Sequence, residues 1–371
     1  MRIEEVKNKK DLKKFVFFPE KLYKDNPFWV PPLWIDEIKS YSGKNNPILF
    51  NSDFTLLLAY DGGSVVGRNL VYVDHKFNQY YHSKTGLFGA FECIEDMDVA
   101  KALINTSEEW LKIKGMNVVR GPIHPIAESW GFLYEGFKST PVFMTPYNYP
   151  YYNDFITKLG YSKVKDLLAY EADIKEGYEI PERFKVFSER TLSRKHNLSL
   201  RRINLGQLLS EAEHIWRITN IALKDNWGYV PVDHSVLEDM IKKLKRVLDV
   251  DAVWFVEDAG KPVGFALSFP DPNITFKKIR GRIFPFGFIK LLTEIKKVRR
   301  YRLIDLAVLP EYRNRGLDAL LYIALFNALS SKGVKIEVNY ILEDNAIIRN
   351  ALEKLNLKLT KTYRIYEKSF V

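Results

Sequence analysis

The amino-acid sequence predicts a mixed α/β (α+β) protein in which one order of strands and helices occurs twice. The two halves align at an offset near 200, because residues 25–31, DNPFWVP, resemble residues 225–231, DNWGYVP. A hairpin pattern follows in each half, and Gly67 and Gly264 occupy matching places in it. Each half then continues with a strand, a helix, a strand, a short helix and two strand-like runs.

The length of 371 residues has room for about two domains, which agrees with the repeat. We place the first domain at 1–176 and the second at 195–371, with a charged, proline-containing linker at 177–194. Two segments depart from the repeated pattern. Segment 121–152 is rich in Pro, Gly and aromatic residues, and its lack of periodicity is typical of an ordered functional loop. Segment 274–302 is a basic insertion in the second domain.

The composition argues against several classes of protein. Hydrophobic residues make up 46% of the chain and aromatic residues 14%, as expected for a packed globular protein. Cys93 is the single cysteine, so we expect no disulfide within the chain and no metal site. The sequence has no apolar run of membrane-spanning length, no signal-peptide core at its N-terminus and no P-loop, GxSxG or HExxH motif. We therefore expect a cytoplasmic protein, with a peripheral position at a membrane as the alternative.

The stretch 301–330 is the central feature of the second half. An apolar run up to Leu309 is followed by a basic turn that contains Gly316. Apolar residues then recur at the i, i+3, i+4, i+7 spacing of a helix packed on a core. Such a strand, turn and helix direct unpaired N–H groups and the positive end of a helix dipole at one place, which predicts an anion site.

This arrangement resembles the acyl-CoA-binding motif of the GNAT superfamily of N-acyltransferases. The motif reads Arg or Gln, two residues, Gly, one residue, then Gly or Ala, and the chain has Arg313-x-x-Gly316-x-Asp318. Asp318 replaces a small residue, and a carboxylate at a helix start can compete with a pyrophosphate for N–H groups. The repeated element order is also the GNAT order. The resemblance thus implies two tandem GNAT-like domains, each a mixed, mostly antiparallel central sheet flanked by helices, similar in build to Fem aminoacyltransferases and N-myristoyltransferases.

The resemblance also implies a cofactor, acetyl-CoA or a longer acyl-CoA, and an amine acceptor. A backbone N–H of the central strand would polarise the thioester carbonyl, the turn would hold the pyrophosphate, and an asparagine would contact the pantetheine arm. The cofactor-binding residues it assigns are Leu306, Ala307, Val308, Arg313, Asn314, Arg315, Gly316, Leu317, Asp318, Ala319 and Asn345.

The acid, the base and the acceptor site are less clearly marked. Leu352 stands where many family members have a tyrosine acid. The candidate bases are Asp305, Glu337 and Glu343, since a carboxylate with a pKa near neutral would suit the role. Candidate substrate residues lie in the loop between the first two helices of the second half and in segment 121–152. They are Trp227, Tyr229, Glu128, Tyr134 and Glu135.

The first half lacks the basic glycine turn. Residues 91–98, FECIEDMD, stand in its place and carry four carboxylates, which would repel a pyrophosphate. Acidic side chains also stabilise a helix N-terminus through its dipole. We therefore expect a degenerate first domain that supplies framework and substrate surface, while acyl-CoA binds only in the second domain.

The basic insertion allows two structures. Residues 277–302 carry ten Lys and Arg against one Glu, a net charge of +9, and contain a helical apolar stripe. A free stripe would insert at an anionic membrane surface or line a phosphate-bearing substrate, whereas a packed stripe would leave only solvated charges. We favour packing, because the basic run 296–300 leads directly into the central strand. The stripe consists of Phe288, Leu291, Leu292, Ile295 and Val298.

The sequence therefore predicts an acyl-CoA-dependent N-acyltransferase that transfers an acetyl or longer acyl group to an amine, with a large or lipid-like acceptor favoured over a small metabolite. Two alternatives stay open. One is Fem-like aminoacyl transfer from charged tRNA, which the basic insertion suits although the chain has no RNA-binding motif. The other is a degenerate GNAT scaffold that acts as a binding protein, as Asp318 and Leu352 would allow.

Overall fold

The computed structural model describes residues 1–43, 45–125, 129–194, 197–234, 241 and 248–370. Internal contacts divide the chain into two units. The first unit consists of Met1–Leu167, Asn273–Thr293 and Lys361–Val371, and the second consists of Leu168–Pro272 and Glu294–Thr360.

The strands are β1 (Arg2–Glu5), β2 (Ser52–Asp61), β3 (Ser64–Asp74), β4 (Thr85–Cys93), β5 (Val118–Gly121), β6 (Phe132–Glu135), β7 (Ser162–Asp173), β8 (Leu198–Arg202), β9 (Val253–Asp258), β10 (Lys261–Pro270), β11 (Arg300–Val308), β12 (Lys335–Leu342) and β13 (Lys358–Ser369). The helices are α1 (Lys9–Leu22), α2 (Trp34–Ser40), α3 (Pro47–Phe50), α4 (His75–Tyr81), α5 (Met97–Ile113), α6 (Tyr151–Lys158), α7 (Glu182–Arg194), α8 (Leu208–Ala222), α9 (Asn273–Lys278), α10 (Gly287–Glu294), α11 (Leu317–Ser330) and α12 (Ala346–Lys354).

The sheet of the first unit has the strand order β1-β2-β3-β4-β5-β13, and β6 also pairs with β13. All of these pairings are antiparallel except β4 with β5. Helix α5 buries one face against this sheet through residues at helical spacing, among them Val99, Leu103 and Leu111. Polar side chains cap the helix ends; for example, Asn8 accepts the N–H groups of the first turn of α1.

The sheet of the second unit has the order β7-β12-β11-β10-β9-β8, with residues 168–173 of β7 belonging to this unit. Strands β11 and β12 are parallel, whereas the pairings from β11 to β8 are antiparallel. Helix α11 is apolar on nearly every side and is deeply buried, with Leu320, Leu321 and Leu325 completely covered. The predicted mixed α/β fold, with mostly antiparallel sheets flanked by helices, is confirmed.

The units and the predicted domains divide the chain differently. The predicted linker 177–194 contains α7, which belongs to the second unit. The predicted insertion 274–302 is shared, because its residues up to Thr293 belong to the first unit. The predicted domain boundaries, 1–176 and 195–371, therefore stay a prediction.

The packing of the apolar stripe is corrected in part. Ile295 and Val298 are buried, as expected, but Phe288 and Leu292 are 44% and 52% exposed. The physical reason is that the stripe is not one helix. Helix α10 ends at Glu294, a single 3₁₀ turn follows, and the chain from Glu294 onward belongs to the second unit. No helix in the described ranges is long and apolar enough to cross a membrane.

Candidate active site

Strands β11 and β12 separate part of the way along their length. Their parallel ladder runs from the pair Arg300 and Lys335 to the pair Leu303 and Val338, although β11 continues to Val308. A bulge in β11 lies at the same place, because Leu267 of β10 pairs with residue 305 and the next residue pairs with 303. Within the described ranges no strand covers this edge of 304–308, so its backbone groups can bind a ligand in extended conformation.

The turn after β11 leads into the N-terminus of α11. Asn314 and Gly316 both have left-handed backbone conformations, with φ of 59° and 77°. Gly316 is the N-cap residue and supplies no side chain to the first-turn N–H groups of the 14-residue helix. Arg313, Asn314 and Arg315 are exposed beside it. Uncapped N–H groups, a helix dipole and basic side chains together form an anion-binding arrangement.

Contacts within the second unit hold the turn in place. The Arg313 guanidinium donates to the carbonyl oxygen of Ala222 at the end of α8. The Arg315 guanidinium lies 5.1 Å from the centre of the Tyr312 ring, and the Tyr312 hydroxyl donates to Asp258 at 2.8 Å. A Cβ on Gly316 would lie 2.2 Å from the ring of Phe187 in α7. Glycine is therefore required here both by its φ and by this close contact.

The three candidate bases differ in their surroundings. Asp305 lies at the open edge of β11, and its carboxylate accepts a hydrogen bond from Thr219 at 3.2 Å. Glu337 is completely buried and accepts from Arg300 at 3.0 Å and from Asn339 at 2.7 Å, which fits a structural ion pair. Glu343 lies just beyond the end of β12, where its carbonyl oxygen accepts from Arg349 at 2.7 Å.

Asn345, the predicted pantetheine contact, and Leu352, at the position of the tyrosine acid, both have structural roles. Asn345 is the N-cap residue of α12, and its side-chain oxygen accepts the N–H of Ile348 at 3.2 Å. Leu352 is completely buried in the hydrophobic core of the second unit. The position that has a tyrosine acid in many family members therefore holds a core leucine here.

The candidate substrate residues fall into both units. Trp227 and Tyr229 lie in the second unit, where the Tyr229 hydroxyl donates to Asn220 at 2.6 Å. Tyr134 and Glu135 lie in the first unit, in β6. The Arg364 guanidinium lies 3.5 Å from the centre of the Tyr134 ring. The hydroxyl of Thr362 donates to Glu135 at 2.8 Å. Glu128 lies outside the described residues.

Comparison with known proteins identifies the family. Residues 215–356, which contain the open strand, the turn and α11, match the Acetyltransferase (GNAT) family. Protein YghO of Escherichia coli (strain K12) is 32% identical over 97% of this chain and 93% of its own length. The chain belongs to the GNAT family. The predicted resemblance is confirmed, and the protein is accordingly an acyltransferase of the GNAT type.

Further similarities extend over nearly the whole chain. The bacterial ceramide synthase of Caulobacter vibrioides (strain NA1000 / CB15N) is 29% identical over 98% of this chain and 96% of its own length. Among solved structures, a tandem GNAT protein from the clavulanic acid biosynthesis pathway has a TM-score of 0.59 at 10% identity, covering 99% of this chain and 98% of that one. A GCN5-related N-acetyltransferase from Sphaerobacter thermophilus has a TM-score of 0.55 at 12% identity, covering 99% and 95%. The tandem GNAT build is thus shown at the level of the fold.

The first GNAT unit has a different structure at the corresponding strand end. Glu92 points inward and accepts hydrogen bonds from Tyr23 at 2.5 Å and from Tyr152 at 2.8 Å, while Arg68 lies 3.9 Å away. Burial raises the pKa of Glu92 to about 7, although the positive charge of Arg68 and the two hydroxyls act in the opposite direction. The Tyr152 hydroxyl also accepts the backbone N–H of Cys93 at 2.9 Å, and the Tyr151 hydroxyl donates to the carbonyl oxygen of Cys93 at 2.8 Å.

Sequence reasoning missed this buried carboxylate. It grouped Glu92 with the acidic residues that precede α5, but only Asp96 caps that helix, accepting the N–H of Asp98 at 2.8 Å. The signal was local: Glu92 stands between Phe91 and Cys93 in a strand pattern, and an acid in such a strand requires partners. Its partners could not be found locally, because Tyr23 and Tyr152 lie 69 and 60 residues away.

A pocket of about 640 Å³ lies next to this strand end in the first unit. Its lining includes the rings of Tyr149 and Tyr151 and the carboxylates of Glu95 and Asp154, and it contains no basic side chain. Such a lining does not suit the phosphates of CoA.

Proposed function

We propose that this GNAT protein transfers an acyl group from an acyl-CoA to the primary amine of a long-chain, lipid-like acceptor, and that the acyl-CoA binds in the second unit. The observation that carries the proposal is the opening between β11 and β12, which continues into the uncapped N-terminus of α11. The GNAT family generally uses acyl-CoA, and the residues present fit that cofactor. The left-handed Gly316 and the exposed Arg313 and Arg315 suit a pyrophosphate.

In the proposed reaction the chain supplies backbone N–H groups and one carboxylate. Acyl-CoA supplies an activated acyl thioester. The open backbone edge of 304–308 donates N–H groups to the carbonyl oxygen as negative charge develops on it. Asp305 accepts the proton that the amine loses as its nitrogen bonds the acyl carbon, and the proton finally reaches the sulfur as the C–S bond breaks. Asp305 is preferred to Glu337 because Glu337 is held by Arg300 and Asn339.

The acceptor class is supported by the relatives and by the surface. A ceramide synthase joins a fatty acyl group to the amine of a long-chain base, and the relative with that name aligns with nearly the whole of this chain. A lipid-like acceptor also agrees with the exposed apolar side chains of segment 273–293.

The test combines product analysis with matched charge variants. Purified protein is incubated with acetyl-CoA or palmitoyl-CoA and with a long-chain amino alcohol or a short soluble amine, and amides are detected by mass spectrometry. We expect the wild-type protein to form the long-chain amide. Arg315→Glu should weaken palmitoyl-CoA binding about tenfold or more. Asp305→Asn should reduce kcat and leave CoA binding intact. Glu95→Lys, a charge reversal on the first unit, should change none of these. An unchanged palmitoyl-CoA affinity in Arg315→Glu, or the absence of amide with every pair of substrates, would contradict the proposal.

A further inference from the structure

Residues 273–293 of the first unit expose an unusual concentration of apolar side chains. The stretch 283–289, IFPFGFI, contains no polar side chain. Phe284 and Phe286 are 72% and 74% exposed, and Ile289 and Leu292 are 49% and 52% exposed. Single exposed apolar residues are ordinary on a protein surface, but a contiguous group of this kind marks an interaction site.

The segment is firmly attached to the rest of the first unit. The Trp34 indole N–H donates to the carbonyl of Arg280 at 2.9 Å, and the Trp34 backbone N–H donates to Gly281 at 3.1 Å. The Arg282 guanidinium forms an ion pair with Glu20 at 2.7 Å. A Cβ on Gly281 would lie 2.1 Å from the carbonyl oxygen of Pro32, so the two backbones are in close contact. Residues 280–282, which precede the exposed phenylalanines, are therefore fixed to the first unit.

The turn at 282–287 and the helix before it are also closely packed. A Cβ on Gly287 would lie 2.1 Å from the carbonyl oxygen of Arg282, so residues 282–287 form a compact turn. Phe276 is buried and packs edge-on against Phe143, with ring centres 5.9 Å apart. The turn thus places Phe284 and Phe286 at its tip, followed by Phe288, Ile289 and Leu292 of α10.

The charge around the tip identifies what covers it. Segment 273–293 contains five basic residues, Lys277, Lys278, Arg280, Arg282 and Lys290, and no Asp or Glu. An apolar tip with a basic border matches an anionic lipid bilayer, where aromatic rings enter the boundary of head groups and acyl chains and basic side chains meet lipid phosphates. A typical protein interface also carries direct hydrogen bonds, and 283–289 has no polar side chain to make them.

We propose that the tip 284–292 docks the protein on an anionic lipid bilayer. The docking surface consists of Phe284, Phe286, Phe288, Ile289 and Leu292, with Arg280 and Lys290 at its border. The role of this docking rests on the proposed function, because a long-chain amine and a long acyl chain are both found at a bilayer. The observations on the docking surface itself do not depend on catalysis.

Vesicle flotation of the full-length protein tests the docking. We expect retention on phosphatidylcholine vesicles that contain about a third phosphatidylglycerol, and little retention on phosphatidylcholine alone. Phe284→Ser/Phe286→Ser should lower the bound fraction at least tenfold, as should Arg280→Glu/Lys290→Glu. The matched control is Phe50→Ser/Ile113→Ser, which removes side chains that are 69% and 84% exposed elsewhere on the first unit and should float like the wild type.

A labelled variant makes the test independent of folding defects. Cys93 is buried, so a thiol-reactive, polarity-sensitive dye on Phe286→Cys reports position 286 alone. Its emission should shift to the blue with anionic vesicles, and the same dye on Ile113→Cys should not respond. Wild-type protein that stays unbound, or a Phe284→Ser/Phe286→Ser variant that still floats, overturns the proposal. So does a dimer that this variant converts to a monomer without any flotation, because the tip would then join two copies of the chain.

The same experiments separate docking from catalysis. Protein that floats but forms no amide with any acceptor contradicts the proposed function and leaves docking supported. Protein that forms the long-chain amide but never floats contradicts docking alone.

Discussion

In both units the central strand ends opposite a glycine of the neighbouring strand, Cys93 opposite Gly67 and Val308 opposite Gly264. In the first unit the strand end is closed by side chains: Tyr152 and Tyr151 bond the backbone of Cys93, and Glu92 is enclosed beside them. In the second unit Ala307 occupies the position of Glu92, and the left-handed Gly316 begins the helix. The parallel ladder stops short of the strand end in both units, so the difference lies in the side chains. One fold thus carries a closed junction and an open one.

The comparison shows how a repeated fold can satisfy the same backbone groups in two ways. The backbone groups that an acyl thioester would bond need partners in any case, and tyrosine hydroxyls supply them in the first unit. The carboxylate of Glu92 occupies the interior, where the second unit has only a methyl group. The open junction instead leaves backbone groups and helix N–H groups for a ligand. The closed junction should therefore govern stability, and the open one should govern acyl-CoA affinity.

The largest expected effect concerns Arg68, whose side chain is 6% exposed. It donates to the carbonyl of Phe15 at 2.9 Å and lies 3.9 Å from Glu92. Arg68→Met leaves a buried carboxylate without its cation, so we expect a loss of about 3 kcal/mol in the free energy of unfolding at pH 8, measured by chemical denaturation. Adding Glu92→Gln should recover more than half of that loss.

The affinity for acyl-CoA is the control in that experiment. The proposed function has acyl-CoA bound in the second unit only, so Arg68→Met should bind palmitoyl-CoA like the wild type under conditions where it is folded. If the folded variant lost CoA affinity, the closed junction would be part of the cofactor site and the contrast between the units would be wrong.

The second prediction uses the raised pKa of Glu92. Burial holds the folded pKa at about 7 against an ordinary value of 4.5, so the folded state keeps the proton more strongly than the unfolded state. The resulting stability is fully present below the unfolded pKa and is lost as the pH rises towards the folded value. Glu92→Gln keeps a neutral side chain at every pH. It should match the wild type near pH 4 and exceed its free energy of unfolding by up to about 3 kcal/mol at pH 8.

The difference between the two proteins must be measured, because other groups titrate in the same range. Burial lowers the pKa of His124 to about 3 from an ordinary value of 6.5, so its contribution to stability is lost as the pH falls between these two values, and the pKa of Glu37 is raised by burial. Both contributions are common to wild type and variant. A difference that does not grow between pH 5 and pH 8 would show that Glu92 is ionised in the folded protein over this range.

The sequence predicted the open junction better than the closed one, for a physical reason. Gly316 and the basic residues before it form a local pattern, and the left-handed conformation that the turn needs is a property of glycine itself. Glu92 is enclosed by tyrosines far away in the chain, and no local pattern shows which face of its strand is covered. The tandem fold was predictable because strand and helix periodicities occur twice in the same order.

The basic insertion illustrates the same limit. Its periodicity correctly indicated an apolar face, but periodicity does not show whether another element covers that face. The structure covers Ile295 and Val298 and leaves Phe288 and Leu292 in solvent. Likewise, Glu337 was a reasonable base on sequence grounds, and only the fold brings Arg300 to it from 37 residues away.

The smallest expected effect concerns Asp318, the residue that departs from the family motif. It lies half-buried in the first turn of α11, and within the described ranges its carboxylate has no hydrogen bond or ion pair. Its negative charge stabilises the positive helix end but opposes a second anion there. Asp318→Asn should therefore tighten CoA binding by up to about 1 kcal/mol, roughly fivefold, while the free energy of unfolding falls by a few tenths of a kcal/mol. Isothermal titration calorimetry at low ionic strength measures the first effect, since salt would screen it.

The closed junction supplies the matched control for this last prediction. Asp98 lies in the first turn of α5, so Asp98→Asn removes an equivalent charge from an equivalent helix position in the first unit. It should lower stability by a similar amount and leave CoA affinity unchanged. Weaker CoA binding in Asp318→Asn would show that the carboxylate contributes to the site, for example by orienting Arg315 or a ribose hydroxyl. Tighter CoA binding in Asp98→Asn would place an anion site in the first unit, which its acidic residues and tyrosine-closed strand end argue against.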